Sequence, residues 1–98
     1  MLKLFLRPIA KTEMRDAAEW YDSKSDNLGD DFLFEVDHTL SFLQEHPLSF
    51  PRTKFRFRKA RLRRYPYCLY YYVLKDRIVV GACLHSSRNT LSILQERT

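Results

Sequence analysis

The chain has 98 residues, 45% of them apolar and 14% aromatic, with a formal charge of +5 and an isoelectric point near 9.4. These figures describe a single domain over residues 1–98, able to bury roughly 60–70% of the surface its unfolded chain exposes, and they exclude a disordered chain. No apolar run approaches the roughly 20 residues needed to span a bilayer, and the opening MLKLFLRPIAK has too short an apolar run for a secretion signal, so a cytoplasmic protein is expected.

Leu2 to Arg7 alternates apolar and polar residues and reads as a short strand that Pro8 ends, opening a helix. From Ile9 to about Lys24 the positions Met14, Ala17, Ala18 and Tyr21 follow helical spacing, with Trp20 beside them. Asn27 is placed to cap a second helix, with Asp30 and Asp31 in its first turn, where the helix dipole favours anions. Gly29 is tolerable there. Leu28, Phe32, Val36, Leu40 and Leu43 form the apolar stripe of this helix, which stops before Pro47. PLSFPRT, residues 47–53, reads as a loop. Three strand-like runs follow near 54–65, 67–74 and 77–85, with Lys75-Asp76 as a tight connection. In the weakly patterned tail, Leu91, Ile93 and Leu94 are placed to add a short element or dock on the core. Cys68 and Cys83 fall within strand-like runs and read as reduced, buried small hydrophobes.

Charge is unevenly distributed. Residues 52–77 hold ten basic side chains and one acidic, a balance of +9, whereas residues 1–51 hold five basic and ten acidic. Lys54, Arg56 and Arg58 alternate with Phe55 and Phe57, a period of two. Ala60 and Leu62 then take over the apolar phase, so a bulge, bend or loop is expected near Arg58 to Ala60. Pro66 marks a strand end. Cations of one sign, interleaved with aromatics, repel one another unless an anionic partner answers them. A merely solvated sheet face is the alternative reading; binding is favoured.

Few motifs carry chemistry. With only Gly29 and Gly81 there is no phosphate-cradling loop, and the three histidines and two cysteines lack metal-ligand spacing, so no metal or cofactor is expected. His38 reads as a helix-face residue and His46 as a helix C-terminal one. His85 closes the last strand and begins His85-Ser86-Ser87-Arg88. It is the one candidate general acid or base, with arginines to hold a phosphodiester; the plainer reading is a histidine that orders the loop.

Taken together, several features fall in one order: a helix ending Trp20-Tyr21, a second entered through Leu28-Gly29 with Phe32, then His46-Pro47 and Phe50-Pro51. Leu62-x-Arg64-Tyr65-Pro66-Tyr67, Tyr70-Tyr71-Tyr72-Val73 and a closing His85-x-x-Arg88 follow. Over residues 1 to about 90 the chain resembles the RelE/ParE toxin superfamily. The resemblance implies an α+β fold in which an N-terminal strand and a two-helix hairpin pack on a twisted antiparallel sheet, in the order β-α-α-β-β-β. It also implies the toxin of a type II toxin–antitoxin, or plasmid stabilisation, pair, wrapped by a cognate antitoxin protein. RelE-like members cleave mRNA on the ribosome; ParE-like members are reported to poison DNA gyrase. The Tyr-Pro-Tyr strand is closer to the ParE-like pattern, and no carboxylate between Arg52 and Lys75 supplies a base. The expected target- or antitoxin-binding residues are Lys54, Arg56, Arg58, Arg61, Arg63, Arg64, Tyr65 and Tyr67. His85 and Arg88 are the catalytic candidates if the chain is an endoribonuclease. A non-toxic antitoxin- or nucleic-acid-binding relative is the third reading. No membrane partner or small-molecule ligand is expected.

Overall fold

A computed structural model describes residues 1–98. The chain runs β1 (Lys3–Leu6), α1 (Pro8–Lys24), α2 (Leu28–Glu45), β2 (Arg58–Arg61), β3 (Tyr67–Val73), β4 (Arg77–His85) and α3 (Thr90–Arg97). The expected α+β fold is present, with the docked tail forming α3. Strands lie in the order β1-β4-β3-β2. β2–β3 and β3–β4 are antiparallel; β1 joins parallel to β4, because the α1–α2 hairpin carries the chain back before β2 begins.

Both faces of the sheet are covered, so β3 and β4 are apolar throughout. Toward the hairpin, Leu69, Tyr71, Ile78, Val80 and Cys83 pack with Ala10, Met14, Phe32, Val36 and Leu43. On the opposite face Cys68, Tyr70, Tyr72, Val79, Ala82 and Leu84 pack with Phe57 and with Leu94 of α3. The register shifts here: Tyr70 faces Ala82 while Tyr71 faces Val80, leaving Gly81 as an extra residue. That bulge keeps Ala82 and Leu84 on the α3 face although Val80 points to the hairpin. The two cysteines are unpaired and buried, and burial raises both thiol pKa values, that of Cys83 to about 12.

Gly29 does more than tolerate its place. A Cβ there would collide with the Ala18 carbonyl and the Asp22 carboxylate, whose Oδ1 accepts the Gly29 N–H at 2.7 Å. The helices cross closely because this residue has no side chain. Asn27 occupies the N-cap position, but with φ 66° and no side-chain bond to the helix. It contributes a left-handed turn instead of a side-chain cap.

The strand read over 54–65 is shorter than its alternation suggests. Only Arg58–Arg61 pairs with β3. Lys54 to Phe57 is a tight turn: Phe57 N–H donates to Lys54 O at 3.1 Å, Thr53 N–H to Phe57 O at 2.9 Å, and Phe55 takes φ 57°. Phe57 on the α3 side and Ala60 on the hairpin side follow plain alternation, since they lie three positions apart and both faces of the sheet are covered. The bulge expected near Arg58 to Ala60 is therefore absent: Arg58–Arg61 pairs in unbroken register, and the irregular segment is the turn at 54–57.

Candidate functional site

Two regions gather the chemistry-bearing residues. The first is the exposed edge of the sheet at β2. Lys59 lies opposite Tyr70 and Arg61 opposite Cys68, so strand alternation turns both toward the α3 face. The Arg56 guanidinium joins them, with Cζ 3.8 Å from the centre of the Tyr72 ring, in cation–π contact. Lys54 is exposed on the preceding turn. None of these four has a carboxylate within ion-pair distance. Positive charge on an edge strand also opposes edge-to-edge pairing, a structural role that needs no partner.

The remaining basic residues belong elsewhere. Arg58, opposite Tyr71, donates to Phe50 O at 2.8 Å and thereby fixes the 47–53 loop. Arg64 pairs with Asp31 at 2.9 Å and with Glu35 at 3.3 Å. Glu35, buried in α2, also accepts the backbone N–H groups of Arg63 and Arg64, and so anchors the β2–β3 turn to the helix. The Arg63 side chain is exposed and lines a shallow groove with Phe34 and His38. Tyr65, expected at a binding surface, is 8% exposed and donates its hydroxyl to Asp31. Burial is the main cause of its pKa rising to about 12, and the Asp31 bond adds to it. Arg58, Arg64 and Tyr65 thus hold bonds within the chain, although the Arg64 side chain is 60% exposed, whereas the Lys54, Arg56, Arg61 and Arg63 side chains have no carboxylate within ion-pair distance. The expected cationic face is a cationic edge, divided between two sides of the sheet.

The second region is a cleft of about 610 Å³ between α1 and the end of the β3–β4 pair. Tyr67 and His85 face each other across the two strands, rings 5.2 Å apart and edge to face. Arg88 reaches the same cleft after a turn in which its N–H donates to His85 O at 3.0 Å. The opposite wall is α1, contributing Asp16, Trp20 and Tyr21. His85 Nδ1 accepts the Ser87 N–H at 3.0 Å. In the neutral ring Nε2 therefore carries the proton, and His85 is set to donate from Nε2. Burial raises the Tyr67 pKa, an effect partly offset by nearby Arg88.

One edge of this cleft, at Glu13 and Cys83, is tied to Arg97 of α3. β1 pairs with β4 only as far as Val80, which leaves Gly81 O and Cys83 N–H unpaired on that side. Glu13 Oε1 accepts the Cys83 N–H at 3.0 Å, and Arg97 donates to Gly81 O at 3.1 Å. Side chains complete what the short strand leaves open.

His85, Arg88 and Tyr67 are brought together, but Arg56, Arg58, Arg61 and Arg63 are not among the residues lining their cleft. His85 projects to the hairpin side of the sheet and Arg61 to the other. The acid–base candidate and the cationic strand do not form one centre.

Sequence reasoning missed Glu35, Asp16 and Glu13. Glu35 was findable: it lies three residues after Phe32 and four before Thr39, within the buried arc of α2. Asp16 and Glu13 carry no local signal, since their roles depend on β4 and α3.

Comparison with known proteins places the fold. No family model and no curated protein matches the chain. Among solved structures it resembles one described as "Chromosomal ParDE TA system from P. aeruginosa", with a TM-score of 0.78 and 13% identity over 87% of this chain and 96% of that one. The likeness is one of fold, and it agrees with the RelE/ParE-like architecture that the motifs imply.

Proposed function

We propose that this chain is the toxin of a type II toxin–antitoxin, plasmid-stabilisation module, bound by a cognate antitoxin, and that it acts in the ParE-like manner on DNA gyrase in the cytoplasm. The likeness to a ParDE structure supports a place in such a module. The observation that carries the ParE-like choice is the separation of His85 from the cationic strand, which leaves no complete acid–base set beside a phosphate-binding surface. On this reading the protein performs no chemistry and acts by occupying a macromolecular surface. Purified chain should inhibit gyrase supercoiling at micromolar concentration; unaffected supercoiling would remove the proposal.

The antitoxin is expected to engage the β2 edge, with acidic side chains opposite Lys54, Arg56, Arg61 and Arg63. Each exposed pair adds about 0–1 kcal/mol, and the main gain is faster association. Binding should therefore weaken with salt.

One observation favours a second reading, a RelE-like ribosome-dependent mRNA endoribonuclease. His85 Nε2–H and Arg88 share an open cleft with Tyr67, which suits proton donation to a leaving group. His85→Ala should then keep antitoxin binding and abolish growth arrest. Growth arrest with mRNA uncut in primer extension rejects this enzyme reading. Induction without any growth defect would instead mark a non-toxic antitoxin- or nucleic-acid-binding relative.

A further inference from the structure

We propose that the outer face of α2 is a two-fold interface at which two copies of this chain pair, their α2 helices antiparallel and crossing at His38. The inference does not depend on the toxin–antitoxin reading or on the choice of target.

A surface helix ordinarily gives its solvent side to polar residues. α2 departs from this. Phe32, Val36, Leu40 and Leu43 bury its inner arc, yet Phe34 and Phe42 stand on the outer side, 65% and 47% exposed. With exposed His38 between them they occupy positions i, i+4 and i+8, a single ridge on the helix surface. Phe42 is held by the rings of His46 and Phe50, 4.8 and 5.7 Å away between centres. Apolar residues scattered singly over a surface need no account. An aligned row with a groove of about 420 Å³ beside it marks an interaction surface.

The two ends of the ridge differ in charge, and that difference selects the occupant. At the Phe34 end the exposed Arg63 side chain shares the groove with Phe34 and His38, and no carboxylate lies within ion-pair distance of it. At the Phe42 end the Glu45 side chain is 60% exposed, and the only basic group within ion-pair distance is His46, at 4.0 Å. A two-fold axis beside His38 reverses the ridge on itself. Phe34 then meets Phe42 of the second copy and Arg63 meets its Glu45, each contact being made twice. Asp31, which would otherwise oppose Glu45 of the second copy with like charge, is already paired with Arg64. Ridges of this i, i+4 kind interdigitate in the commonest class of helix crossing. Arg63 is one of the residues expected to meet the antitoxin; in the free chain the second copy takes that place.

Sedimentation equilibrium of the purified full chain should show a monomer–dimer equilibrium with a Kd of tens of micromolar, since one helix face per copy makes a small interface. Phe34→Asp should weaken it at least about tenfold, because an apolar anchor is lost twice over. The position is exposed, and unchanged far-UV circular dichroism would verify folding. Arg63→Glu and Glu45→Arg should each weaken the dimer several-fold, and the double variant should recover the parent's dimerisation. Packed helices about 8–10 Å apart bring Cα atoms on the axis within the roughly 4.4–6.8 Å of a disulfide. His38→Cys should therefore give a covalent dimer under mild oxidation, whereas Arg15→Cys, exposed on α1, should not; Cys68 and Cys83 are buried and do not compete.

A chain that remains monomeric at millimolar concentration overturns the proposal. So does a dimer indifferent to Phe34→Asp, a double charge reversal that recovers nothing, or cross-linking of His38→Cys no greater than that of Arg15→Cys. A monomeric chain that binds a Leu- and Glu-rich amphipathic helical peptide through Phe34 would assign the face to a foreign helix and reject the second copy as its occupant.

Discussion

Glu13 grips Arg97 through two parallel hydrogen bonds, Oε1 to Nη1 at 2.8 Å and Oε2 to Nη2 at 2.9 Å, joining the middle of α1 to the penultimate residue of the chain. Each side chain is only 16% exposed, so the pair is largely withdrawn from water. The Arg97 carbonyl in turn accepts from Arg7 at 2.9 Å. Arg97→Ala should therefore strand the Glu13 carboxylate and leave Gly81 O without its donor. The expected loss is about 2 kcal/mol, below the 3–5 of a fully buried pair, with Tm falling by roughly 10 °C in thermal unfolding. A loss inside about 0.5 kcal/mol, the range of ordinary surface substitutions, would show that the C-terminus does not secure the sheet.

Acid stability should depend on Asp31. The bond from the Tyr65 hydroxyl, and after it the Arg64 guanidinium, hold its carboxyl below the ordinary 3.8. A carboxyl depressed in the folded state contributes stability that is complete above its unfolded pKa and is lost as pH falls through the folded one. Urea midpoints of the parent chain should thus exceed those of Asp31→Asn at neutral pH. The two curves should converge below the ordinary value. A gap that persists in strong acid would mean that packing, not charge, makes the difference.

At the alkaline end the sign reverses. Burial lifts Tyr65 and Tyr70 to about 12. Their neutral forms are favoured by folding, so this contribution is intact below the ordinary tyrosine value of 10.0 and is lost as pH rises toward 12. Phenolate absorbance should show at least two late-titrating tyrosines, whose ionisation coincides with loss of near-UV circular dichroism. All six tyrosines titrating together near pH 10 in a folded chain would contradict this packing.

A methyl group at the bulge tests the α3 face. A Cβ on Gly81 would lie 2.9 Å from Cε1 of Phe57. Gly81→Ala should cost about 1–3 kcal/mol through overpacking. Phe57→Leu should recover part of that cost, because the clash is with the far edge of the ring. Denaturant unfolding of the two single variants and the double variant supplies the cycle; strict additivity would show that ring and bulge do not meet.

Much of this architecture was legible in the sequence, and the exceptions have physical causes. The stripe Phe32, Val36, Leu40, Leu43 gives α2 because a helix can bury only one arc. β3 and β4 are legible because continuous apolar runs need cover on both faces. The alternation from Lys54 to Arg58 misleads, since Phe55 in the left-handed region breaks the strand without the glycine that ordinarily announces such a turn. The in-chain bonds of Arg58, Arg64 and Tyr65 were not legible, because sequence displays charge and aromaticity but not the carbonyls and carboxylates that answer them. The cleft was half visible. His85 and Arg88 are neighbours in the chain, whereas Asp16 and Trp20 reach them only through α1.

The parallel pairing of β1 with β4 has a consequence for synthesis. The first strand finds its hydrogen-bonding neighbour only when Arg77–Val80 has been translated, and the Arg7–Arg97 contact closes last. Until then an emerging polypeptide can assemble its helical hairpin but not its finished sheet. Residues through Val80 must leave the ribosome before β1 can pair, so a product terminated ahead of Arg77 should lack a finished sheet and be readily degraded.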